Sequence, residues 1–81
     1  MVAVALLFHD MSLEEQILDE YPIADRLEGW YFRVEETCSG YWEASGINLG
    51  GQTVNRTVMG DPDLALEACV NDALEIERSH N

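Results

Sequence analysis

Few side chains in this 81-residue chain could do covalent or acid–base chemistry: Cys38 and Cys69, His9 and His80, and sixteen carboxylates. A nucleophile needs a base within hydrogen-bond reach and donors for the developing oxyanion. Nothing in the spacing brings Cys38 to His9 or His80, and Cys69 falls on an apolar helix face, where a thiol serves as a small core residue. Glu14-Glu15 and Glu35-Glu36 are candidate acid–base pairs. Neighbours on a strand point to opposite faces, so Glu35 and Glu36 do not converge on one substrate. Glu14 and Glu15 open a helix, whose dipole already favours acids there. A zinc centre needs four ligands at suitable spacing, and two Cys and two His without a CxxC do not provide them. Asp61 and Asp63 lack the EF-hand pattern. The expectation is a protein that is not an enzyme and takes neither metal nor cofactor.

Charge is the stronger signal. Sixteen acids against four arginines, with no lysine, give a net charge of −12. Such a chain lacks the cations that neutralise nucleic-acid phosphates, and anionic membrane surfaces repel it. The partners that fit are basic surfaces on other proteins, or cations. Glu14, Glu15, Asp19, Glu20, Asp25 and Glu28 load the first helical region; Asp61, Asp63, Glu67, Asp72, Glu75 and Glu77 load the last. Acids at i, i+4 on a helix lie roughly 6 Å apart, close to the phosphate repeat along a strand. The array could compete with nucleic acid for a protein that binds it. The competing reading is a solvated surface that keeps a small chain soluble. Tyr31 and Tyr41 form a second candidate surface, since tyrosine is favoured at interfaces; a routine cross-strand pair is the alternative.

These residues must be held by short elements. Ser12-Leu13-Glu14-Glu15 reads as a capping box opening a helix. Leu13, Ile17, Tyr21, Ala24 and Leu27 keep helical spacing, with a kink or break expected at Pro22 and a stop at Gly29. Trp30 to Glu36, Tyr41 to Ile47 and Gln52 to Met59 read as strands joined by the turns Cys38-Ser39-Gly40 and Asn48-Leu49-Gly50-Gly51, hence an antiparallel meander. Asp61 caps a final helix with Pro62 at its first position. Leu66, Cys69, Val70, Ala73 and Ile76 form its apolar face, opposite Glu67, Asn71, Glu75 and Arg78.

The expected class is α+β, an α-β-β-β-α single domain over residues 1–81. One sheet face (Trp30, Phe32, Val34, Trp42, Ala44, Val54, Val58) packs on both helices. The other (Tyr31, Arg33, Tyr41, Glu43, Ser45, Asn55, Thr57) meets water or a partner. The run Val2 to Phe8, strand or helix by periodicity alone, is too short to span a bilayer and lacks a basic flank. Two cysteines without a disulfide framework point to a reducing, cytoplasmic compartment.

The element order resembles the double-stranded-RNA-binding domain. That family grips phosphate with a basic cluster at the start of its last helix, where this chain has Asp61, Asp63 and Glu67. Residues 31–76 also resemble the HicB-like antitoxin domain. Phe32-Arg33-Val34-Glu35-Glu36 precedes Ser39-Gly40-Tyr41-Trp42-Glu43-Ala44-Ser45, then Leu49-Gly50-Gly51 and Asp63-Leu64-Ala65-Leu66-Glu67-Ala68. Against that pattern the third strand is longer, the first helix is extra, and no DNA-binding domain follows. The resemblance implies a domain that binds and blocks another protein. In size and charge the chain is also similar to small inhibitors of host defence, including many anti-CRISPR and anti-restriction proteins. The expected function is a module that inhibits or regulates a basic, nucleic-acid-binding protein, with Glu14, Glu15, Asp19, Glu20, Tyr31, Tyr41, Asp63, Glu67 and Glu75 facing it. The alternative is a homo-oligomeric structural or accessory protein, in which the exposed sheet edge or the Val2–Phe8 segment pairs with its own copy.

Overall fold

The computed structural model of the protein describes residues 12–79; the Val2–Phe8 run, His9 and His80 lie outside them. Ser12 caps α1 (Leu13–Glu20) as its sequence requires: its Oγ accepts from the Glu15 N–H at 3.1 Å, and the Glu15 carboxylate accepts from the Ser12 N–H at 3.3 Å. Pro22 breaks this helix rather than kinking it. Proline disfavours helical backbone in the residue before it, and Tyr21 leaves the α region at φ −127°, ψ 78°. The helical spacing of Ala24 and Leu27 is therefore not realised as helix. Ile23 instead exchanges two backbone hydrogen bonds with Phe32, and Leu27 packs on the core. Gly29, at φ 85°, does not end a helix but turns the chain into the sheet, a conformation only glycine adopts cheaply.

The sheet comprises β1 (Trp30–Cys38), β2 (Tyr41–Asn48) and β3 (Thr53–Met59), antiparallel in that order, followed by α2 (Pro62–Ser79). This is the expected α-β-β-β-α arrangement. The core lies between the sheet and α2. Small side chains at i, i+4 and i+8 of α2 (Ala65, Cys69 and Ala73, all fully buried) let the helix sit close over Trp30, Phe32, Ala44 and Val54. The Trp30 indole donates to the Glu77 carboxylate at 2.7 Å, tying the end of α2 to the start of β1. Burial pushes the Cys69 thiol up to about 11, with nearby Asp72 adding to the effect and Arg56 opposing it. In a native thiol titration, exposed Cys38 should react at once and Cys69 only as the chain opens; two fast thiols would contradict the packing.

Gly46 is the tightest point of the core. A Cβ there would lie 2.6 Å from two ring carbons of Phe32 and 2.9 Å from a methyl of Val54. Phe32 lies directly opposite Gly46 on β1, and Val54 opposite it on β3. The missing side chain is what lets the Phe32 ring cover β2.

The two helices do not share one face of the sheet. Tyr31 alternates with Trp30 and Phe32 and so points away from α2, yet it is only 7% exposed. Its hydroxyl donates to the Glu14 carboxylate of α1 at 2.5 Å. Arg33, on the same side, lies 4.7 Å over the Tyr21 ring at the end of α1. The expectation that Tyr31 meets water or a partner is corrected: α1 lies over the β1 end of that face. Tyr41, opposite Met59, remains on its uncovered part.

Candidate functional site: an acidic groove beside the second helix

Three of the four arginines are engaged within the fold. Arg56 on β3 grips Asp72 on α2 with two hydrogen bonds, at 2.5 and 3.0 Å, and holds that carboxyl below the usual carboxylate range. Arg78 pairs with Glu75 at 3.1 Å, and Arg33 stacks on Tyr21. Arg26 has neither an ion pair nor a ring contact among the described residues.

The carboxylates divide in the same way. Glu14 accepts from Tyr31, raising its phenol above the ordinary tyrosine value mainly through that hydrogen bond and secondly through burial. Glu15 completes the α1 cap, and Glu36 accepts from the Gly40 N–H. Glu43 accepts from Asn55, Asp61 from the Asp63 N–H, and Glu77 from Trp30. Asp19, Glu20, Asp25, Glu28, Asp63 and Glu67 are exposed, and their carboxylates have no hydrogen bond or ion pair among the described residues. Glu35 is likewise exposed, on the sheet directly across from Glu43.

The free acids lie at the end of α1, along the 21–29 segment and on the first turns of α2. Between Arg26 of that segment and the first turns of α2 the chain forms a groove of about 370 Å³ lined by Arg26, Asp63, Leu66, Glu67 and Val70. Its apolar lining is Leu66 and Val70, on the α2 face that meets the core. Asp63 and Glu67, four residues apart, share one side of the helix. The helix dipole accounts for Asp63 in the first turn; it does not account for Glu67 or for the acids flanking Arg26 in sequence. Among the described residues no cluster of three or more His, Cys, Asp or Glu is placed to hold a metal ion. No helix among them is long and apolar enough to cross a membrane.

Of the residues singled out in the sequence, Asp63 and Glu67 come together at the groove. Asp19 and Glu20 are free but belong to the helix on the opposite face, so the acids of the two helices do not form one continuous array. Glu14, Glu15 and Glu75 are engaged internally, Tyr31 is buried, and Tyr41 stands apart on the open sheet, 44% exposed. Arg26 was missed. Its role depends on the break at Pro22, which brings the 21–29 segment alongside α2, and no local pattern announces that. Comparison with family models, with curated proteins and with solved structures finds no match to this chain.

Proposed function

We propose that this protein is a non-enzymatic binding module that inhibits or regulates a basic, nucleic-acid-binding protein in the cytoplasm, antitoxin-like or anti-defence in type. The observation that carries the reading is the sorting of charge. Three of the four arginines are paired or stacked within the fold, while Asp63 and Glu67, unpaired among the described residues, line a groove beside the fourth, Arg26. Exposed acids raise the encounter rate with a basic partner, and half-buried Val70 supplies apolar contact once it has docked, over a floor formed by buried Leu66. A basic side chain of the partner reaches Asp63 and Glu67 while its aliphatic stem lies on Val70. Occupying cationic residues that otherwise hold phosphate is how such a module would block nucleic-acid binding.

The test is affinity capture from a lysate of the source cell at low ionic strength, followed by a salt gradient and, separately, by competition with heparin, a polyanion. The retained protein should be basic, should be displaced by heparin, and should lose affinity steeply as salt rises. A complex indifferent to both salt and heparin would refute the electrostatic mechanism.

A further inference from the structure

We infer that β3 is the edge through which two copies of this chain pair, antiparallel, into one six-stranded sheet. The inference stands apart from the groove and rests on backbone geometry and on where acids are missing.

Phe32 gives both its N–H and its C=O to Ile23, at 2.8 and 2.9 Å, so both groups point away from β2. Antiparallel pairing alternates bonded and unbonded positions. Carried through the register Phe32–Gly46–Val54, this turns the N–H and C=O of Val54, Arg56 and Val58 toward β2. Two bonds at the ends of the β2–β3 pair agree: the Asn48 N–H to the Gln52 carbonyl, and the Gly60 N–H to the Gly40 carbonyl. Thr53, Asn55, Thr57 and Met59 then turn theirs outward, and no described residue bonds them. The opposite edge is partly closed, because Ile23 pairs Phe32 and Leu27 accepts from Trp30.

Proteins blunt open edges with lysine, proline, bulges or inward-pointing charge. The sequence of β3, Thr-Val-Asn-Arg-Thr-Val-Met, has no lysine or proline, its pairing with β2 is unbroken, and Asp72 neutralises its one charge. None of the sixteen acids lies from Ala44 through Gly60, the longest acid-free stretch of the chain. Two copies carrying −12 each repel wherever carboxylates face one another. The β3 edge is where they approach with the least of that penalty, since the carboxylates that reach its side chains, Asp72 on Arg56 and Glu43 on Asn55, are hydrogen-bonded there. A basic partner finds nothing there to complement, which separates this surface from the groove.

A two-fold axis at Arg56 gives the fullest overlap. Asn55 of one copy then exchanges bonds with Thr57 of the other, Thr53 meets Met59, and Val54 lies beside Val58. The test is sedimentation equilibrium of the full chain at roughly 0.1 M and 1 M salt, where screening lengths are about 10 and 3 Å. The expected result is a species of twice 9.1 kDa that tightens with salt, opposite to the behaviour of the groove complex. Thr57→Pro removes one outward N–H and leaves the bonds to β2 intact; its dimer should weaken at least tenfold, while Thr57→Val keeps wild-type association. Hydrogen exchange on the wild type gives a second reading that needs no variant. The amides of Asn55 and Thr57 should gain protection as concentration rises. A monomer at submillimolar concentration in both salts, or a dimer without that protection, would overturn the inference.

Discussion

Gly46→Ala should lower the thermal midpoint by several degrees, and Gly46→Val should leave the chain largely unfolded. Carbon atoms pack comfortably at about 3.5–4.0 Å, and a Cβ at position 46 would stand 2.6 Å from the Phe32 ring and 2.9 Å from Val54. Phe32 is fully buried between the sheet and α2, so its ring has no space to move into. Overpacking of this kind costs about 1–3 kcal/mol, and in a domain of 60–100 residues each kcal/mol shifts the midpoint by roughly 4–8 °C. The small side chains of α2 offer no slack, because Ala65, Cys69 and Ala73 already bring the helix close to the sheet. Pairing Gly46→Ala with Phe32→Leu should cost less than the two single changes added together, since the smaller side chain vacates the ring position. Thermal melts of the three variants check this; an unchanged midpoint for Gly46→Ala would mean that Phe32 does not lie over β2.

The second large effect concerns binding. Asp63→Lys and Glu67→Lys should each weaken the complex with a basic partner about tenfold, and the double change should nearly abolish it. Each replaces an attraction with a repulsion of similar size. One surface pair contributes about 0.2–1 kcal/mol, so a reversal amounts to roughly 0.4–2 kcal/mol, and 1.4 kcal/mol, toward the upper end, is a factor of ten. Both carboxylates are exposed and have no hydrogen bond or ion pair among the described residues, so Glu67→Lys should leave the fold intact and Asp63→Lys should lose only the favourable dipole interaction of the first turn.

The elements were legible where a local signal decides them. Ser12 with Glu15, Asp61 before Pro62, and the turn glycines marked the ends of helices and strands, and alternation along Trp30–Glu36 separated the two sheet faces. Pro22 announced an interruption, but not that the released segment would pair Ile23 with Phe32 and leave Arg26 facing α2. The first joins residues across an irregular loop and the second joins residues far apart in sequence, and no spacing encodes either. Tyr31 was read correctly as lying on the face opposite the core. It was misjudged as open because the placement of an eight-residue helix depends on Glu14 reaching it across the fold. The candidate site was legible as charge and not as place. Sixteen acids are visible in the sequence, but only the folded chain shows that Glu14, Glu15 and Glu75 have internal partners while Asp63 and Glu67 border a groove.

The most direct test of this placement compares Glu67→Lys with Glu75→Lys against one captured basic partner. Both substitutions lie on α2 and change the net charge equally, and about 12 Å of helix separates them, further than the screening length of about 8 Å at physiological salt. Titration should show Glu67→Lys weakening the complex about tenfold and Glu75→Lys leaving it within a factor of two or so. Equal losses at both positions, or none at either, would contradict the groove as the docking site.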